Sequence, residues 1–111
     1  MKGNETFKVA VKAMADVTTE LLTEQGFTHE QVDLFIPHQA NLRIIDAVSE
    51  KLKIDPGKVY KNIDRYGNTS AASIPIALDE CVRDGKLEAG DMVLMTAFGA
   101  ALVWGSVLLR W

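Results

Sequence analysis

The sequence predicts an α/β fold, a layered mixed sheet covered by helices, and three observations carry that expectation. Helical and strand-like apolar patterns succeed one another along the chain in the order helix, strand, helix, strand, helix, strand, strand. Glycine or proline punctuates the junctions, at Gly26, Pro37, Gly57, Gly67 and Gly85. The last two apolar runs, Met92 to Phe98 and Leu102 to Leu109, are rich enough in apolar residues to be central strands. A chain of 111 residues has room for one core, so residues 1–111 are read as a single domain.

Each element has its own signal. Phe7, Val11, Met14, Val17 and Leu21 recur at helical spacing with Lys8, Lys12, Asp16 and Glu20 between them, which predicts a helix over residues 5 to 25 stopped by Gly26. Thr28 and Gln31 stand at capping-box spacing and predict one tight turn, with His29 an exposed residue inside it. Val32 to Ile36 reads as a short buried strand ended by Pro37. Leu42, Ile45, Val48 and Leu52 form the stripe of a second helix, closed by the turn at Asp55 to Gly57. Val59 to Ile63 is expected to be a further short strand. After the turn at Gly67 and Asn68, the stripe Ile74, Ala77, Leu78, Cys81 and Val82 predicts a third helix running up to Gly85. Pro75 then has to lie in the first turn of that helix, because deeper in it would remove a hydrogen bond. Met92 to Phe98 and Leu102 to Leu109 complete the sheet, joined through Gly99, Ala100 and Ala101.

Composition narrows the class of function. The longest apolar run is interrupted by Gly99, Gly105 and Ser106 and falls short of the ~20 residues that cross a bilayer, so no membrane association is expected. A net charge of −3 argues against a general nucleic-acid binder. Cys81 is the single cysteine, so neither an internal disulfide nor a thiolate metal cluster can form, which fits the cytoplasm, and no metal site is expected. The N-terminus carries no export signal pattern. Charge is unevenly distributed: Arg43 to Arg65 holds six basic and four acidic residues, against an acidic remainder. That window is either an ordinary mixed surface or a docking face for an acidic partner.

In layered α/β sheets, ligands gather where strands end at their C-termini. His38, Asn68 and Gly99 each follow a predicted strand, so they are expected at one edge. His38 is either structural or a neutral imidazole, favoured by the positive end of the following helix, that donates a hydrogen bond to a developing oxyanion. Asn68 is either a turn residue or helix cap, or a second donor that does not titrate. Gly99 by itself reads as a bulge or hairpin glycine.

Three strings, PHQANLRI (Pro37 to Ile44), RYGNTSAASIPIALDE (Arg65 to Glu80) and FGAALVWGS (Phe98 to Ser106), resemble the signature blocks of the β-ketoacyl-[acyl-carrier-protein] synthase III family. The resemblance implies the C-terminal half of a thiolase-like fold, incomplete because the chain opens in a helix where that half begins with a strand. It implies the family's acyltransferase activity: acyl-CoA, expected to be acetyl-CoA, condenses with malonyl-[acyl-carrier protein] as carbon dioxide leaves, beginning fatty-acid synthesis. His38 and Asn68 would hold the malonyl thioester carbonyl, and the backbone N–H of Gly99 would serve a second oxyanion hole. Ala100 and Ala101 depart from the further glycines that many relatives carry there. Gln39, Ala40, Asn41, Leu42 and Arg43 match the stretch that meets the acyl-carrier protein and the pantetheine arm. Arg43 is the best candidate for electrostatic contact with that acidic partner, and Asn41 is expected either to bond the pantetheine or to orient His38. No cofactor is implied. The whole enzyme is expected to be a cytoplasmic homodimer.

The family's nucleophilic cysteine belongs to an N-terminal half that this chain does not contain. Cys81 lies in a core stripe and is read as structural. The chain is therefore expected to be inactive alone and to need the missing half as its partner, its exposed packing face causing association. Two other readings compete. One is a non-catalytic module that binds acyl-carrier protein. The other is a hydrolase pairing His38 with Ser70 or Ser73, for which no acidic residue that would orient the histidine is evident.

Overall fold

A computed structural model describes residues 2–39, 42–66, 73–99 and 103–111. Helix α1 spans Lys2–Glu24, strand β1 Leu34–Pro37, helix α2 Leu42–Lys51, the single-turn helix α3 Ile63–Tyr66, helix α4 Ser73–Arg83, and strands β2 and β3 Met92–Gly99 and Val103–Arg110. The sheet has the order β1-β2-β3. Strand β1 runs parallel to β2 with Phe35 beside Leu94, and β2 runs antiparallel to β3 with Met95 beside Val107. The mixed sheet expected from the alternating pattern is the one observed.

Period-two alternation sorts the side chains of β1 and β2 onto two buried faces. Phe35 and Leu94 pack with Val11, Met14 and Leu22 of α1 and with Val48 of α2. Leu34, Ile36 and Val93 pack with Ala77 and Cys81 of α4 and with Tyr60. The sheet is thus covered by α1 and α2 on one side and by α4 on the other. A strand buried on both faces reads as a continuous apolar run, which is why Leu34–Pro37 shows no alternation in sequence. The run expected to form a second central strand lies instead at the edge of the sheet as β3, pairing only with β2, and Val107 and Leu109 on it and Trp111 just beyond it are exposed.

Several boundaries differ from those the sequence predicts, each for a local reason. Pro37 closes β1 from inside it: the residue pairs with Thr96, and the next ladder hydrogen bond is given by His38 N–H to the Thr96 carbonyl at 2.7 Å. Proline needs no donor at that position, so it ends the strand one residue later than expected. Val59 to Ile63 is not a strand. Val59 forms an isolated bridge to Phe35 and Tyr60 N–H donates to the Phe35 carbonyl, after which the chain turns into α3. Helix α2 ends before the turn at Asp55, because Lys53 adopts φ 58° and Ile54 N–H reaches back to the Ser49 carbonyl. That is a left-handed helix stop made without glycine. Leu42 and Val82, placed in apolar stripes by spacing, are 48% and 46% exposed.

Other expectations hold. Gly26 and Gly85 take φ 74° and 70° just past α1 and α4, the left-handed conformation that glycine adopts without a Cβ clash. Gln31 Oε1 accepts Thr28 N–H at 2.8 Å, the reciprocal arm of a capping box, and the turn it closes is a 3-10 turn. Pro75 lies in the first turn of α4.

Candidate active site

Because β1 and β2 are parallel, their C-terminal ends lie at the same edge of the sheet. His38 follows β1 directly and Gly99 is the last residue of β2, so the fold brings these two predicted positions to one edge. Ala40, Asn41 and Asn68 lie outside the described residues.

His38 is held from two directions. Its N–H is fixed to Thr96, and its ring Nδ1 lies 2.6 Å from Ser73 Oγ, at the start of α4. Burial lowers the imidazole pKa below its ordinary value, so the ring is neutral at pH 7. Loss of water is the cause, where the sequence argument looked to the dipole of the following helix. Thr96 is itself clamped. Its hydroxyl donates to the Gly105 carbonyl at 3.2 Å on β3 and lies 3.1 Å from the Thr18 hydroxyl of α1, which donates to the Met14 carbonyl. Three elements converge on the residue that anchors the histidine.

Gln39 turns inward. Its side chain is 1% exposed. The amide nitrogen donates to the carbonyls of Pro37 at 2.7 Å and Tyr60 at 3.3 Å, while Oε1 accepts Asn62 N–H at 3.0 Å. One side chain thereby ties the end of β1 to the segment before α3. Asn62 continues the network: its Nδ2 donates to Glu80 Oε1 at 3.1 Å, and the Tyr60 hydroxyl donates to the same oxygen at 2.6 Å. The Lys86 ammonium sits 4.9 Å from the Tyr60 ring centre. Replacing Gln39 with leucine leaves Asn62 N–H and the two carbonyls without these partners at similar volume. We expect a loss of about 2 kcal/mol of stability, measurable by chemical denaturation of the complete protein.

Sequence reasoning singled out Ser73 only as a hydrolase nucleophile and passed over Thr96, Asn62 and Glu80. A signal for two of these was present. Ser73 and Glu80 are seven residues apart on a helix whose Ala77 and Cys81 are fully buried, so both belong near the inward stripe.

Leu42 and Arg43 begin the described part of α2 and are exposed. The Arg43 guanidinium lies 4.6 Å from the Phe7 ring centre, a cation–π contact across α1 and α2. Cys81 is fully buried on α4, and burial pushes its thiol up to about 11, leaving a negligible thiolate fraction at pH 7. Among the described residues, no three His, Cys, Asp or Glu side chains gather to hold a metal ion, and no helix is long and apolar enough to cross a membrane.

The arrangement offers a part-buried, neutral imidazole with one nitrogen braced, at the sheet edge that also holds the end of β2 and where α/β folds take their ligands. Such a ring can donate to, or accept from, a bound carbonyl oxygen. Comparison with known proteins sharpens this. A beta-ketoacyl-[acyl-carrier-protein] synthase III from Aquifex aeolicus is 59% identical over the whole chain, which covers 36% of that protein. A crystal structure of 3-oxoacyl-[acyl-carrier-protein] synthase III from the same organism superposes with a TM-score of 0.96 at 58% identity, covering all of this chain and 36% of that one. The corresponding Thermus thermophilus structure gives 0.93 at 51% identity, with all of this chain and 35% of that one covered. The chain thus spans about a third of the length of the relatives it matches. The model for the 3-oxoacyl-[acyl-carrier-protein] synthase III C-terminal family matches residues 22–111, and the chain belongs to that family, with its thiolase-like fold.

Proposed function

We propose that this chain forms the malonyl-binding side of the active centre of a 3-oxoacyl-[acyl-carrier-protein] synthase III. The observation that carries the reading is the neutral His38 ring, braced on Nδ1 and standing at the shared end of β1 and β2. Decarboxylation of a malonyl thioester breaks the bond to the carboxylate carbon, releases carbon dioxide and places the electron pair in an enolate. Charge develops on the thioester oxygen. In this reading His38 Nε2–H and the Asn68 carboxamide donate to that oxygen, and the Gly99 N–H donates to the oxygen formed when the enolate attacks the acyl group. Donors fixed before the reaction stabilise the enolate more than the neutral thioester, which is what lowers the barrier.

The acyl group would be carried by a cysteine outside these 111 residues, since the buried Cys81 thiol has neither exposure nor acidity for the task. Exposed Leu42 and Arg43, with Ala40 and Asn41, are assigned to the acyl-carrier protein and its pantetheine arm, whereas Gln39 acts from inside as a brace. Acyl-CoA is the second substrate. The complete enzyme is proposed to be a cytoplasmic homodimer that needs the N-terminal half and no metal or cofactor.

The test is condensation of acetyl-CoA with malonyl-[acyl-carrier protein] by the complete protein, followed against pH. Burial holds His38 below its ordinary value, so the donor form persists as pH falls through about 6.5. Activity is expected to stay level there as far as His38 is concerned and to decline only at lower pH, where the ring gains a proton at the cost of a buried charge. A limb that already declines above pH 7 and disappears in His38→Ala contradicts the assignment.

A further inference from the structure

We infer that Ser73 is a positioning residue that fixes which nitrogen of His38 carries the proton. The inference rests on the reading of His38 as an oxyanion donor for its catalytic consequence, though not for its geometry. Ser73 Oγ belongs to a residue 2% exposed, so water does not compete for it. It has two partners among the described residues: His38 Nδ1 at 2.6 Å and Gln39 N–H at 3.3 Å. A backbone N–H only donates, so Gln39 occupies a lone pair of the hydroxyl oxygen. The hydroxyl proton is left with one acceptor among the described residues, Nδ1. Nδ1 therefore carries a lone pair, and in the neutral ring the proton resides on Nε2.

The opposite tautomer is disfavoured twice. With a proton on Nδ1, the Ser73 oxygen would accept from both neighbours while its own proton lost its partner in a buried site, an imbalance that biases the tautomers about tenfold. The bare Nε2 would then meet a thioester oxygen lone pair to lone pair. The donor to Ser73 is itself held in place, because the Gln39 side chain is tied to Pro37, Tyr60 and Asn62. The same geometry speaks against Ser73 as a nucleophile. Its oxygen is enclosed, so a substrate carbonyl has no approach to it.

The experiment uses the complete protein labelled with ¹⁵N-histidine, the His38 ring signals being assigned by their loss in His38→Asn. In the wild type, His38 is expected to show a protonated Nε2 and an unprotonated Nδ1 at neutral pH. In Ser73→Ala the two shifts move toward each other as the tautomers mix. Malonyl-thioester decarboxylation falls about twofold, the share of rings lost to the other tautomer, in kcat more than in KM. Ser73→Thr, which keeps the hydroxyl, restores the wild-type signature. A wild-type ring protonated on Nδ1, or a Ser73→Ala ring indistinguishable from the wild type, overturns the inference. If Ser73→Ala does not fold, the wild-type and Ser73→Thr spectra decide it: an unprotonated Nδ1 in both supports the role, and a protonated one in either refutes it. If the spectra behave as expected while neither Ser73→Ala nor His38→Ala slows decarboxylation, the hold on the ring stands and the catalytic reading of His38 fails.

Discussion

Replacing His38 with alanine in the complete protein is expected to lower the rate of malonyl-thioester decarboxylation by about a hundredfold, equivalent to ~3 kcal/mol of lost transition-state stabilisation. Among the described residues, the ring is the one titratable group that the fold brings to the shared end of β1 and β2 with a lowered pKa, and alanine removes the donor without replacing it. The effect should fall on decarboxylation and leave acylation by acyl-CoA nearly intact, since the proposed mechanism assigns that step to other groups. Measuring release of carbon dioxide separately from transfer of the acyl group distinguishes the two. Equal loss in both steps would point to collapse of the site, and no loss in either would remove His38 from the mechanism.

The largest effect on stability is expected at Phe35. Its side chain is fully buried in the cluster formed by α1, α2 and the sheet, packed with Met14, Val48 and Leu94. Its carbonyl also receives Tyr60 N–H at 2.9 Å, which places the segment that Gln39 ties to the site. Phe35→Ala removes a large buried ring and opens a cavity between two helices and a strand, for a loss of about 3–5 kcal/mol. Denaturant unfolding of the complete protein reads it. A loss under about 1 kcal/mol would mean that the helices close over the gap, which is incompatible with a rigid platform for His38.

Much of this architecture is legible in the residues, because the forces that set it are periodic. The stripes of α1 and α4 record burial against the sheet on one face, and the apolar runs of β1 and β2 record burial on both, whereas the equally apolar run of β3 leaves Val107 and Leu109 exposed. Gly26, Gly85 and Pro75 record backbone constraints that few other residues satisfy. Where the reading missed, the deciding interaction was non-local. Val59 to Ile63 has strand-like composition, yet one bridge to Phe35 is all the pairing it makes before α3 begins. Lys53 adopts a glycine-like conformation that nothing in its side chain announces.

The site divides in the same way. His38 and Gly99 are placed by the ends of strands, so the order of elements in the sequence predicts that they share an edge. The resemblance groups Gln39 to Arg43 as one stretch expected to meet the acyl-carrier protein, but it does not tell that Gln39 points inward while Leu42 and Arg43 remain exposed. The bracing of His38 by Ser73 joins residues 35 apart, and that of Gln39 by Asn62 joins residues 23 apart. Such contacts depend on how α4 and the segment before α3 pack on β1, which no spacing within either segment encodes. The family resemblance supplied the chemistry, and the hydrogen bonds supply its support.

The most direct measurement is a crystal structure of the complete protein with a stable malonyl-thioester analogue bound. The account predicts that His38 Nε2 and the Asn68 side-chain nitrogen both lie about 3 Å from the thioester oxygen, with Nδ1 still on Ser73. A thioester oxygen reached by neither donor, or the two side chains directed to different cavities, would contradict it.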